Sequence, residues 1–310
     1  MNTRFILSLD CEGKWGVADH LSRQEHEWLT DARLREAYGG LLSLLDEFAM
    51  PATFAFVGLF GESAETFKRL RPEVEQLAAR SPEYLGRALH DIHSGSRQGW
   101  HGAWAVDATG AARTTHEIAL HGVTHVPWNG MGRQAAVEEL SLYRALSGAV
   151  GKSRTFIYPR NQVAYVDLLP SIDIEGYRLA PTRRSRAASL ASEFNLFSSP
   201  EADPALVQGS PVPIPAGYFV NWQRGVRQLV PRPVSIARLK RMLARARPSG
   251  GVIHFWLHPE NLASAPRTLI LLRAMMAAVA RERDAGRCEV MTQLDYVRHL
   301  RAKQALGPAS

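Results

Sequence analysis

The chain has few cysteines: Cys11 and Cys288 are the only two in 310 residues. That excludes a disulfide-stapled fold and a cysteine-rich zinc module, and both read as small buried residues. No apolar run reaches the ~18 residues that a membrane-spanning helix needs. The nearest candidate, Leu269–Ala280, is short, carries Arg273 and reads as a buried helix. No GxGxxG follows an apolar strand, which argues against an open dinucleotide-binding sheet. Acidic residues are the minority sign: Lys+Arg 37 against Asp+Glu 30 leaves +7. The excess is too diffuse to argue nucleic-acid binding and suits an anionic ligand, such as a phosphate-bearing substrate, or a membrane surface. It gathers in two short clusters, Arg183, Arg184 and Arg186, then Arg224 and Arg227, each of which reads equally well as a solvated face. The apolar piece Phe5–Leu9 ends at an aspartate without a small-residue cleavage site, so it reads as a strand and not as a signal peptide. The expected compartment is therefore the cytoplasm, with peripheral contact to the inner membrane surface.

What is present is the composition of a folded chain, 45% hydrophobic and 8% aromatic, which excludes disorder. Phe5–Asp10 reads as a strand. Leu34, Tyr38, Leu41, Leu42, Leu45 and Phe48 recur at helical spacing. Ala52–Phe60, Glu117–Leu120, Thr155–Tyr158, Val252–Leu257 and Glu289–Met291 read as further strands. Glu65–Arg80, Arg133–Val150, Val234–Ala246, Ala265–Ala285 and Leu294–Ala302 read as helices. The stretch 83–112, rich in Gly, His and Trp, reads as a loop insertion over one face of a single domain spanning 1–310. Arg178–Val220 reads as short strands and loops, and Leu306–Ser310 as a frayed tail. Strands alternate with helices, which implies a parallel sheet. About seven such units favour a barrel-like arrangement, whose chemistry gathers at the C-terminal ends of its strands.

The polar residues lie at those ends. Asp10 and Glu12 follow the first strand and, two apart in extended chain, face one side while Cys11 faces the other. Two carboxylates this close repel unless a cation separates them, one acid ligating it and the other left free as a base; alone, the pair is equally an acidic surface turn. His121 and His125 follow the third strand, and imidazoles at i and i+4 share one face of a helical turn and can reach one ion. His258, after the strand that holds His254 and Trp256, is a candidate general acid. Arg160, after Thr155–Tyr158, could pair with the free carboxylate and hold it ionised. Taken singly, each of these is also an ordinary packed or surface residue. Together, two histidines and a carboxylate around an ion with an open position, beside a second carboxylate and a further histidine, form a metal-hydrolase set.

The segments LSLDCEG, IALHGVTH, FIYPRNQ and FWLHPEN, in this order, resemble the polysaccharide deacetylase family, also called the NodB-homology or carbohydrate esterase 4 family. The resemblance implies a distorted (β/α)7 barrel and metal-dependent removal of N-acetyl or N-formyl groups from a sugar, with zinc as the implied divalent metal. Carried over position by position, it makes Asp10 the base, Glu12, His121 and His125 the metal ligands, and His258 the acid. Trp15, Trp128, Tyr158 and Trp256 lie beside motifs and are expected to meet the sugar. The expected substrate is a precursor or unit of a bacterial surface polysaccharide (O-antigen, lipopolysaccharide or capsule), carried on a nucleotide or a lipid phosphate. Gly122 stands where the family has Ser or Thr, Arg160 follows Pro159 instead of preceding it, and the motif that tunes the acid histidine is not found. The alternatives are a metal-independent cyclic-amide hydrolase and a non-catalytic carbohydrate-binding relative.

Overall fold

A computed structural model describes residues 2–182, 186–196 and 198–306, with the backbone alone for 186–189. Arg183 and Arg184, the side chain of Arg186, and the tail beyond Leu306 lie outside what is described. Among the described residues there are nine strands: β1 (Thr3–Cys11), β2 (Thr53–Phe56), β3 (Glu117–Leu120), β4 (Thr155–Phe156), β5 (Gly176–Arg178), β6 (Val212–Ile214), β7 (Tyr218–Phe219), β8 (Val252–Leu257) and β9 (Cys288–Met291). They form one sheet in the order β6-β5-β4-β3-β2-β1-β8-β7, and β9 pairs β1 beside that path. Every ladder between these strands is parallel. This is the expected distorted (β/α) barrel, left open between its end strands β6 and β7. The extra strands come from the Arg178–Val220 stretch, where β6 and β7 are only three and two residues long.

β1 is buried along its whole length. Such a strand, covered on both faces, reads as a continuous apolar run and not as an alternation. The helix Asp31–Glu47 begins where the Thr30 hydroxyl accepts the Arg33 N–H, and it buries Leu34, Tyr38, Leu41, Leu42 and Leu45. Each such leucine is worth roughly 1.5–3 kcal/mol in transfer from water. The stretch 83–112 departs from its reading as a loop: it forms the helices Pro82–His93 and Ala103–Gly110. Leu85, Ala88 and Leu89 supply the apolar face of the first helix, and Trp100 between the two is fully buried. Gly, His and Trp obscured a helical period that those leucines carry.

Register decides what reaches the site. Cys11 pairs Phe56, Phe56 pairs Leu120, Leu120 pairs Phe156 and Phe156 pairs Tyr177. The residues one step further along these strands are Glu12, His121 and Arg178, which therefore emerge in one row. Leu9 pairs Leu257 on the other side, so Asp10 and His258 share a row as well.

Candidate active site

Glu12, His121 and His125 converge. Both Nε2 atoms lie 3.0 Å from Glu12 Oε1, and His258 Nε2 lies 3.3 Å from the same oxygen. The two histidines do not meet through a helical turn as expected. The segment after β3 is a loop with positive φ at Gly122 (66°) and His125 (64°), and those two left-handed residues swing His125 back beneath His121. A side chain at 122 would also place its Cβ 2.6 Å from Pro159 Cγ, so the position suits glycine. Glu139, fully buried under this loop, accepts the N–H groups of Val123 (2.6 Å) and Thr124 (3.0 Å) and the Trp128 indole N–H (3.1 Å).

The donor set fits a cation. His121 Nδ1 lies 2.9 Å from the Ile157 carbonyl oxygen, which can only accept. Nδ1 therefore carries the proton, and a neutral His121 turns a lone pair from Nε2 onto Glu12 Oε1. A lone pair against a carboxylate oxygen at 3.0 Å is repulsive unless a proton or a metal ion lies between them. His125 Nε2 faces the same oxygen and makes no hydrogen bond. Burial works against ionisation of Glu12, but the facing imidazoles of His125, His258 and His121 hold its carboxyl well below the usual range. Two imidazoles and one carboxylate are the ligand types of an open zinc site.

Asp10 has a carboxylate oxygen within 4.8 Å of the ligand atoms of Glu12 and His258, and it pairs with Arg178. The guanidinium donates to both carboxylate oxygens, Nη1 to Oδ1 at 2.8 Å and Nη2 to Oδ2 at 2.6 Å. Burial disfavours the charged form of Asp10, yet Arg178 outweighs it and keeps the carboxyl ionised, below its ordinary value. Arg178 is itself fixed by Asn161 Oδ1 (2.8 Å) and Ser8 Oγ (3.1 Å) and lies over the Trp256 ring at 4.7 Å. Ser8 has His254 Nε2 at 2.8 Å, and His254 Nδ1 meets the Pro215 carbonyl at 2.6 Å. The polarity follows: Nδ1–H donates to Pro215, Ser8 O–H donates to Nε2, and Ser8 Oγ accepts from Arg178. Burial and the neighbouring Arg178 push His254 down to about 3, so it is neutral throughout. The expected partner of Asp10, Arg160, is elsewhere. It takes a left-handed φ of 55°, which turns its side chain to Asp19 at 2.5 Å, across the Tyr84 ring.

His258 keeps its proton to high pH: burial opposes the charge, but Glu12 and Asp10 raise its pKa to about 9. Glu260, two residues on, accepts the N–H groups of Glu12 (3.0 Å) and Gly13 (2.7 Å), which ties the turn after β1 to the turn after β8. Burial and the nearby Glu12 raise the Glu260 carboxyl to about 7.

These groups open into a cleft of about 420 Å³. Asp10, Glu12, His121, His125, Arg160, Trp256 and His258 line it, joined by Trp28, Phe219, Trp222 and Arg224. Three aromatics expected at the sugar are not in its wall. Trp15 is buried and donates its indole N–H to the Trp100 carbonyl, Trp128 donates to Glu139, and Tyr158 packs edge-on against Trp128 and Phe156. They follow motifs in sequence but point into the core. The aromatic wall is made by Trp256 on β8, the one expected aromatic that lines the cleft, with Trp28 of the short helix Arg23–Trp28, Phe219 in β7 and Trp222 just after it, which lie in no motif. Arg178, Glu260 and Glu139 were also not foreseen. Arg178 ends a strand, the one signal that could have marked it.

No family model matches the chain, and no curated protein matches it. Solved structures do. A Mycobacterium smegmatis protein provisionally named a polysaccharide deacetylase superposes with TM-score 0.58 at 16% identity, over 98% of this chain and 92% of its own. The probable polysaccharide deacetylase of Pseudomonas aeruginosa PAO1 superposes with TM-score 0.59 at 14% identity, over 99% and 93%. PuuE allantoinase gives 0.61 at 13%, over 99% and 92%. At such identities the likeness is one of fold, and the chain has the distorted (β/α) barrel fold of these polysaccharide deacetylase structures.

Proposed function

We propose that the protein is a metal-dependent hydrolase of the NodB-homology, carbohydrate esterase 4 type that removes an N-acetyl or N-formyl group from a sugar. The observation that carries the reading is that two neighbouring acids have different partners: Glu12 faces the imidazoles of His121 and His125, while Asp10, close to Glu12 and His258, is held by both donors of Arg178. Glu12, His121 and His125 would hold a divalent cation, zinc by ligand type, which when bound would supply Lewis acidity toward a water and an acyl carbonyl. Asp10, kept ionised by Arg178, takes the proton of the attacking water, a contribution of roughly 10²–10⁴ in rate. His258 Nε2–H gives its proton to the departing amine nitrogen. The Arg160 backbone N–H, without a partner among the described residues, is a donor for the carbonyl oxygen as it gains charge. Trp256, Phe219 and Trp222 offer flat faces to a sugar ring.

The fold alone does not select this chemistry, because an allantoinase shares it. Two imidazoles and a carboxylate aimed at one point favour the metal-dependent reading over a metal-free cyclic-amide hydrolase. Retention of both Asp10 and His258 disfavours a carbohydrate-binding protein without activity. The finer reading is an acylated unit or precursor of bacterial surface polysaccharide, O-antigen or capsule, on a nucleotide or lipid phosphate, met in the cytoplasm at the inner membrane surface. The net charge of +7 supports it. Among the described residues no helix is long and apolar enough to cross a membrane. The test is acetate and formate release from a panel of N-acylated sugars and nucleotide sugars, by wild type, Asp10→Asn and His258→Ala, with metal analysis of the purified protein. Release by wild type that falls at least 100-fold in both variants is expected. Equal release by all three, or metal-free protein of full activity, overturns the reading.

A further inference from the structure

The arginines that line this cleft and the adjoining one are neutralised, with one exception. Arg160 pairs Asp19 at 2.5 Å, and Arg227 and Arg238 both pair Glu193, at 2.9 and 3.2 Å. Arg224 lies in the cleft wall with no carboxylate within ion-pair distance among the described residues. Its guanidinium carbon sits 3.6 Å over the Trp28 ring and 5.2 Å from the Trp222 ring. Among the described residues its side chain donates one hydrogen bond, from Nη2 to Gln24 Oε1 at 3.3 Å. Glu25, the acid sharing this stretch of wall, acts on Arg224 through space without a direct ion pair, and accepts the Ser22 N–H at 2.8 Å in the cap of its own helix. The Trp222 indole N–H has no partner either.

Stacking on aromatic faces fixes the plane of a guanidinium and leaves the donors on its edge for a ligand. Five N–H groups with a single acceptor amount to a vacant fork, and the indoles that hold it shed its hydration. A cation in the cleft wall without a direct ion pair among the described residues can take an anion from outside, and its fork matches two oxygens of a phosphate or carboxylate. The same cleft holds Asp10, Glu12 and His258. Its volume of about 420 Å³ is that of a small-ligand site. We infer that the cleft takes an acyl-amino sugar bearing a phosphate, and that Arg224, held by Trp28 and Trp222, is the residue that receives it. The inference rests on the deacylase reading for the sugar, but the anion site stands on its own geometry.

The experiment has a turnover arm and a binding arm, so the two ideas can fail separately. Acetate release is compared for N-acetylglucosamine, its 1-phosphate, the same sugar on uridine diphosphate and on a short prenyl diphosphate, and N-acetylglucosaminuronic acid. Wild type is expected to favour the phosphorylated sugars over the neutral one at least tenfold in kcat/KM. Arg224→Gln is expected to bring that ratio to about one, and Arg224→Lys to restore part of it; one charge-assisted bidentate contact is worth roughly ten- to hundredfold. The nucleotide and prenyl arms tell which carrier the site takes, and the uronate arm whether a carboxylate substitutes for phosphate. Calorimetric binding of N-acetylglucosamine 1-phosphate and inorganic pyrophosphate to the same proteins is read without turnover. Release that ignores the phosphate, or a ratio that Arg224→Gln leaves in place, overturns the inference and spares the deacylase. Phosphate binding that depends on Arg224 without release of any acyl group overturns the deacylase and spares the inference. Binding that Arg224→Gln does not weaken overturns the inference.

Discussion

Removing Arg178 tests the centre of the site without assuming any substrate. The Asp10–Arg178 pair is almost wholly inaccessible, with both side chains at or below 2% exposure and two hydrogen bonds between them. Breaking such a pair by removing one partner costs about 3–5 kcal/mol, because the remaining charge is left buried and alone. Arg178→Gln should therefore lose that much of a total stability of about 5–15 kcal/mol. Asp10→Asn leaves the guanidinium unpaired and should cost a comparable amount. In the double variant Asp10→Asn/Arg178→Gln neither charge of the pair is left unpartnered, so its loss should be smaller than the sum of the two by at least 2 kcal/mol, a coupling typical of contacting residues. Urea unfolding of the four proteins gives the cycle. The sign with pH is fixed as well. The folded carboxyl of Asp10 lies below its ordinary value, so the pair stabilises fully above pH of about 4 and loses its effect as pH falls through the folded value. The coupling should shrink in acid. In Arg178→Gln only the His121 and His258 imidazoles still oppose burial, so the ascending limb of the pH–rate profile should move to higher pH. Additive single variants, with a coupling below about 0.5 kcal/mol, would refute the pairing.

Further outcomes follow from neighbouring contacts. Gly16→Ala would place a Cβ 1.8 Å from Glu12 Oε2 and 2.9 Å from its Cβ; it should weaken zinc binding by roughly 10–100-fold in a chelator competition while circular dichroism stays unchanged, and unchanged affinity would show that Glu12 is no ligand. Gly122→Ser meets both a left-handed φ and Pro159; a loss of about 1–3 kcal/mol is expected in thermal unfolding, and a neutral effect would mean that the loop after β3 is not so constrained. Burial raises Glu201 to about 7, so this acid favours the folded state at low pH and opposes it increasingly as pH rises from about 4.5 to about 7; Glu201→Gln should reduce the fall in stability between pH 5 and pH 8 by up to about 3 kcal/mol, and an unaltered pH profile would rule that burial penalty out. Glu139→Ala leaves three donors without an acceptor and should cost more than 2 kcal/mol, measured by denaturant unfolding, with Glu139→Gln recovering part.

The convergence of Asp10, Glu12, His121, His125 and His258, the proposed base, ligands and acid, was legible because each lies at or just past the end of an apolar run, and in a parallel barrel such ends share one rim. Nothing in the chain tells which guanidinium reaches Asp10. Arg160 sits in a motif and Arg178 ends a three-residue strand in a proline-rich stretch, yet one left-handed residue hands the task to the latter. The aromatic candidates failed for a related reason. Trp15 and Trp128 lie close to catalytic residues along the chain, but nearness along the chain does not set a side chain's direction, and both were drawn to buried acceptors for their N–H groups. Glu260 and Glu139 serve backbone amides, a role no spacing rule announces. Arg224 was visible as half of a basic pair, but only the fold separates it from Arg227, which Glu193 neutralises.

β1 is laced to three partners in turn: β9 along Thr3–Ile6, β8 along Arg4–Leu9 and β2 along Ser8–Cys11. Its amides should be among the last in the molecule to trade their protons with deuterium, since such central strands open only when the whole domain does. Asp10 rides on that strand and Glu12 immediately follows it. The reaction centre is thus anchored in the most persistent part of the architecture, and heat should abolish both together, with no window in which a folded shell outlives its chemistry.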